Sequence, residues 1–137
     1  MSYSLNEVEA LSKRAARGAG LDWGFAEEAS KATRWLCAQD LDGCRLLLSV
    51  LDAYQGNGHH TQAPKSLSGH WQGSMGALCP VLTGASLSDC AVQVAENGVE
   101  IRDLSNPTFI LPFVAAAAHV AETGLLVSWA GATITTD

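Results

Sequence analysis

Apolar residues recur every three or four positions through the first third of the chain, which is the spacing of one helix face. A capping-box pattern, with Ser4 followed by Glu7, precedes the first of these series. The pattern predicts a first helix from about Leu5 to Arg17. The glycines at 18 and 20 end it, because glycine enters the left-handed conformation that closes a helix.

Two further helices are predicted before residue 55. Asp22 stands at an N-cap position, and the second helix runs from about Trp23 to Ala38. Asp42 caps a third helix that ends near Tyr54 and is apolar nearly all round, which indicates a central position. The second helix has one core-facing stripe, at Phe25, Ala29, Ala32 and Leu36.

Residues 56–76 carry no periodicity, five glycines and three of the four histidines of the chain. Segments of this length without secondary structure are uncommon inside compact domains and are usually functional loops or disordered ones. The segment is therefore predicted to be a loop and is a candidate binding site.

Shorter elements follow the loop. We expect a short helix within residues 77–90, then a hairpin of strands 91–94 and 99–104 around Asn97-Gly98, since Asn-Gly between apolar residues favours a tight turn. A helix is predicted from Leu111 to Glu122. Two strands, 125–129 and 132–136, follow it.

This order of elements predicts one α+β domain over residues 1–137. Its parts are a helical half at 1–55 with three helices, a Gly/His-rich loop at 56–76, and an α/β half at 77–137. The last part is expected to hold a small, mostly antiparallel sheet with one packed helix.

The composition favours self-association. Apolar residues make up 47% of the chain and charged residues only 16%, with a mean hydropathy of +0.11. The usual charged fraction of soluble domains is ~25%. We therefore expect a homo-oligomer, in which another subunit covers part of the apolar surface.

Charge and hydropathy also bear on partners and location. The net charge is −6, and the basic residues form no block, which argues against nucleic acid. The apolar run at 114–118 is too short to cross a bilayer, and the polar N-terminus is unlike a secretory signal. A cytoplasmic protein with reduced cysteines is expected.

No motif of established chemistry is present, so candidate site residues come from two dense polar stretches. The histidine spacing fits no compact metal site, and neither a metal nor a cofactor is predicted. The charged row on the second helix either is a solvated face with aromatic residues at its edges or lines a polar cleft or a subunit interface. The candidates are Arg17, Glu27, Arg34 and Trp35 on the helices, and His59, His60, His70 and Trp71 in the loop.

Several strings carry a family resemblance. SLNEVEALSKRAARGAGLDWGFAEEASKATRWL, the LDGC after it, LCPVLTGASLSD and NPTFILPF resemble the bacterial family of unknown function called DUF3726. The resemblance spans most of the chain and implies a bacterial cytoplasmic protein. It implies no catalytic residues.

These observations favour a non-catalytic cytoplasmic protein that oligomerises and binds a partner subunit or a small metabolite. The alternative is a small metabolic enzyme or enzyme subunit acting on a carboxylate-bearing substrate. In that case Arg17 and Arg34 would clamp the carboxylate beside the histidine-rich loop.

Overall fold

The computed structural model describes residues 3–54 and 61–136. Its N-terminal part contains the three predicted helices, α1 (Leu5–Gly18), α2 (Trp23–Ala38) and α3 (Gly43–Ala53). Each begins at a predicted cap, because side-chain oxygens of Ser4, Asp22 and Asp42 accept backbone N–H groups of the first turn.

The break between α1 and α2 depends on Gly20, whose φ of 107° is unfavourable for residues with a side chain. Gly18 remains in the helix. The N–H of Leu21 donates to the carbonyl of Ala16, and the Leu21 side chain is fully buried. The turn therefore folds α2 back along α1.

The inward face of α2 is the predicted stripe. Ala29, Ala32 and Leu36 are buried, and Phe25 is half-buried against them. The expectation that α3 is central or sandwiched is wrong, since Leu47 and Val50 are buried whereas Leu48 is 60% exposed. Among the described elements, α3 packs mainly against α2 and the turn at 107–110, which leaves its other side to solvent.

The predicted hairpin at 91–104 is also wrong. After α4 (Pro80–Asp89), residues Ala91–Asn97 form a helix, α5, and Gly98 ends it with a φ of 71°. Asn-Gly supplies a left-handed residue that suits a helix C-terminus as well as a tight turn. The packing of α5 against the later helix α6 (Leu111–Ala121) favours the helix over the hairpin turn.

Residues 99–105 pair with a distant segment. Trp71 forms an isolated parallel bridge with Ile101, and Leu78 forms another with Leu104. Four backbone hydrogen bonds of 2.8–3.0 Å join the two segments. Trp71, which the sequence places in a loop, is thereby held in the core at 2% exposure.

The C-terminal part follows the predicted order. A 3₁₀ turn (Pro107–Ile110) leads directly into α6, and α6 is followed by strands β1 (Leu126–Trp129) and β2 (Ala132–Thr135). The strands are antiparallel, with Val127 opposite Ile134. Helices α4 and α6 approach closely at Gly84, where a Cβ would overlap the ring of Phe113. The predicted α+β class is confirmed, and the described residues are mostly helical.

Candidate functional site

The predicted charged row of α2 lies along its contact with α1. Arg34 pairs with Glu9 at 2.9 Å, and Glu27 pairs with Lys13 at 2.6 Å. The guanidinium of Arg17 lies 4.4 Å from the centre of the Trp23 ring. These contacts connect the two helices at their partly exposed edge.

This arrangement separates the two candidate arginines. Glu9, Lys13 and Arg17 are spaced four residues apart, so each contact lies one turn beyond the previous one. At 1.5 Å per residue, Arg17 is ~12 Å along α1 from Glu9, the residue with which Arg34 pairs. The structure therefore does not bring Arg17 and Arg34 into one cleft.

Each of these charges already has a partner. Arg17 donates to the carbonyl of Leu21 at 2.9 Å. Arg34 also donates to the side-chain oxygen of Asn6 at 2.7 Å. The hydrogen bond and charge of Lys13 lower the pKa of the Glu27 carboxyl. Both arginines are thus engaged in contacts that fix α1 against α2.

The candidates from the loop are distributed differently. His70 is exposed. Its Nε2 atom lies 3.0 Å from Oε1 of Gln72 and 3.2 Å from a guanidinium nitrogen of Arg102. Arg102 in turn pairs with Glu100 at 3.0 Å. Within the described part of the chain, His70 forms no hydrogen bond or ion pair with Arg17, Glu27 or Arg34.

Of the remaining candidates, the two tryptophans pack in or against the hydrophobic core, and two histidines lie outside the described residues. Trp35 is half-buried and packs against the hydrophobic core, and Trp71 belongs to that core. His59 and His60 lie outside the described residues, as does part of the predicted loop at 56–76. Binding by the eight predicted site residues stays a prediction.

The described residues form a cavity of about 680 Å³ between α5, residues 98–104, α6 and the β1–β2 hairpin. We call it the hairpin cavity. One wall comes from α4, α5 and the extended segment at residues 98–104. The other wall comes from the 107–110 turn, α6 and β1. Its principal apolar lining residues are Val94, Ile101, Leu104, Val114, Val127 and Trp129.

The local sequence explains why these side chains line the cavity. Strand β1 alternates, so that Val127 and Trp129 are half-buried while Leu126 and Ser128 are exposed. The extended segment turns at Asp103, which has a φ of 55°. Asp103 and Ser128 are the polar residues of the lining, and Ser128 lies with Leu126 on the exposed face of β1.

A second cavity, of about 550 Å³, lies on the other side of the α5 C-terminus. It shares Val94, Gly98 and Val99 with the hairpin cavity, and Leu67 and Trp71 line its far side. The end of α5 therefore separates two adjoining concave surfaces.

The comparison with protein families gives one result. The model of the family described as "Protein of unknown function (DUF3726)" matches residues 3–105. The chain belongs to this family. The string at 106–113, which also resembles the family, follows the matched residues. Comparisons with curated proteins and with solved structures gave no match.

Only some of the residues that line the hairpin cavity lie within the part of the chain that matches DUF3726. Val94, Ile101 and Leu104 lie inside the matched residues, whereas Val114, Val127 and Trp129 follow them. The cavity is thus built jointly by the matched part of the chain and by the C-terminal elements.

Two further observations concern metals and membranes. Within residues 3–54 and 61–136, no three His, Cys, Asp or Glu side chains are grouped in a way that could hold a metal ion. None of the helices in the same ranges is both long enough and apolar enough to cross a bilayer.

Sequence reasoning missed the hairpin cavity. The alternation of Leu125, Val127 and Trp129 was a usable signal, because it marks one apolar face of a predicted strand. The other wall was hidden by the incorrect hairpin at 91–104. Its lining residues come from a helix and an extended segment that were both assigned as strands.

Proposed function

We propose that this protein is a non-catalytic binding protein for a small molecule with an apolar part. The observation that carries the proposal is the hairpin cavity, whose volume of about 680 Å³ is ordinary for ligand sites. Its aliphatic lining would gain free energy by removing apolar ligand surface from water.

One polar lining residue, Asp103, narrows the ligand class, because its carboxylate accepts hydrogen bonds. A neutral ligand with a hydroxyl or amide group suits this lining. A ligand carboxylate near Asp103 would meet a like charge.

The enzyme alternative has less support. It requires arginines available to clamp a carboxylate, but Arg17 and Arg34 are held in separate contacts along α1. Moreover, neither of them lines the hairpin cavity.

Binding can be tested with 1-decanol as the probe and tryptophan emission as the readout, since Trp129 lines the hairpin cavity. Val127→Phe should fill part of the cavity and weaken binding by at least about tenfold, or about 1.4 kcal/mol. The matched control is Thr133→Phe, which places the same ring on an exposed position of β2.

The proposal predicts saturable decanol binding to the wild type and to Thr133→Phe, with weakened binding to Val127→Phe. Equal affinities of the two variants would place decanol elsewhere and overturn the assignment of the site. A wild type that binds neither decanol nor the corresponding amide would overturn the proposed function itself.

A further inference from the structure

The connection between α2 and α3 is unusually tight at Gly43. A Cβ at this position would lie 2.6 Å from the carbonyl oxygen of Thr33 and 2.9 Å from Sγ of Cys37. Ordinary Cβ contacts are longer, so a side chain here would push α3 away from α2. Glycine at 43 therefore lets the first turn of α3 rest on the last two turns of α2.

This packing places two thiols side by side. Cys44 follows Gly43 directly, and the thiols of Cys44 and Cys37 are neighbours at this close approach of the two helices. Cys44 is exposed and Cys37 is half-buried, so a small oxidant can reach at least one sulfur of the pair. By contrast, Cys79 is buried.

We propose that Cys37 and Cys44 form a reversible intramolecular disulfide when the protein meets a hydroperoxide. The proposal is independent of the ligand assigned to the hairpin cavity. It rests on the close approach of Cys37 Sγ to the backbone at Gly43, next to Cys44, and on the exposure of Cys44.

The reaction balances with hydrogen peroxide as the oxidant. The Cys44 thiolate attacks one peroxide oxygen, the O–O bond breaks, and a sulfenic acid and hydroxide are formed. The Cys37 sulfur then attacks the sulfenic sulfur, the S–O bond breaks, and a second hydroxide leaves. With the two thiol protons, the products are one disulfide and two water molecules, so the two electrons lost by the sulfurs reduce the peroxide.

The environment of the pair sets the conditions of this reaction. Partial burial, followed by the neighbouring Cys37 thiol, raises the pKa of the Cys44 thiol. Because the thiolate is the reacting species, disulfide formation should accelerate as the pH rises. The charge of Asp42, at the start of α3, also raises the pKa of the Cys44 thiol, because a thiolate would place a second negative charge near the carboxylate.

The test uses the intact protein, a molar equivalent of hydrogen peroxide, alkylation of remaining thiols, and tryptic digestion. Both cysteines fall in one peptide, Trp35–Arg45, so the disulfide form is unalkylated and lighter by two hydrogens than the reduced peptide. We expect most of the peptide in this form, and its return to the doubly alkylated form after treatment with dithiothreitol.

Four substitutions make the result specific. Cys37→Ser and Cys44→Ser should each abolish the light peptide, whereas Cys90→Ser, at another half-buried cysteine, should leave it unchanged. Circular dichroism checks that each variant is folded. Gly43→Ala keeps both thiols but should lower the yield, because the added Cβ displaces α3 from Cys37.

Two outcomes would overturn the proposal. One is a Trp35–Arg45 peptide that stays doubly alkylated while peroxide is consumed at other cysteines. The other is a covalent dimer linked through Cys44, which would show that the two sulfurs of one chain cannot reach each other.

Discussion

Two buried threonines differ in what their hydroxyls contact. The hydroxyl of Thr33 donates to the carbonyl of Ala29 at 2.8 Å. Thr83 is equally buried, but its Oγ1 has no hydrogen-bond partner among the residues that the structure describes. An orphaned buried hydroxyl costs free energy, whereas a satisfied one does not.

Thr83→Val should therefore stabilise the protein. Valine keeps the shape of threonine and removes the unsatisfied oxygen, so the free energy of unfolding should rise by about 1 kcal/mol or more. The matched control is Thr33→Val, which removes a satisfied hydroxyl and should leave stability unchanged or lower. Urea unfolding of both variants measures the difference. A loss of stability in Thr83→Val would indicate that the hydroxyl has a partner.

Cys79 makes stability depend on pH. Burial raises the pKa of its thiol above the ordinary value of 9.0, although N–H groups of Leu82 and Val81 partly oppose this. As the pH rises through 9.0, the unfolded state loses this proton first, so the free energy of unfolding falls.

We expect this fall between about pH 8 and about pH 9.5, below the range in which lysines titrate. Cys79→Ala should reduce the slope of unfolding free energy against pH, whatever it does to stability at neutral pH. Cys90→Ala is the control and should keep the wild-type slope. Identical slopes in wild type and Cys79→Ala would assign the pH dependence to other groups.

At the scale of elements, the contact between α1 and α2 combines small apolar residues with charged pairs at its edge. The Glu9–Arg34 pair is 31% and 39% exposed, which places it between surface and buried pairs. Such partly exposed pairs usually couple by about 0.2–1 kcal/mol and weaken as salt screens them.

A double-mutant cycle with Glu9→Gln and Arg34→Met should give a coupling in that range, falling at high salt. The comparison pair is Glu100–Arg102, whose side chains are 66% and 49% exposed and whose coupling should be smaller. Urea unfolding at low and high ionic strength provides both values. A Glu9–Arg34 coupling near zero would leave only the apolar contacts to fix the alignment of the two helices.

The helices with local start and stop signals were predictable from sequence. Ser4, Asp22 and Asp42 mark their beginnings, and these caps act within one turn of the chain. The segment at 91–104 was not predictable, because Asn97-Gly98 suits two structures and contact with α6 selects one. The hairpin cavity was hidden for the same reason, since its walls meet only through long-range packing.

At the scale of the whole molecule, large apolar side chains remain exposed. Leu126 is 68% exposed, Val120 62% and Leu48 60%. Together with a charged fraction of only 16%, this supports the expectation of a homo-oligomer.

Light scattering at micromolar concentration should give a mass of at least twice 14.4 kDa. Replacing Leu126 with Glu should lower the mass if the outer face of β1 lies in the interface. Leu48→Glu should lower the mass if the exposed side of α3 lies in the interface instead. A wild type that stays monomeric would show that water covers these side chains in the native protein.

The two parallel bridges have a consequence for how the chain is completed during synthesis. The backbone groups of Trp71 bond to Glu100 and Arg102, and those of Leu78 bond to Asp103 and Ser105. A nascent chain that has reached residue 98 can form α1, α2 and α3, but Trp71 and Leu78 still lack these partners. The segment at 71–78 must therefore wait for the next few residues to leave the ribosome. Until then the indole of Trp71, which is buried in the folded protein, stays exposed and can be bound by a chaperone.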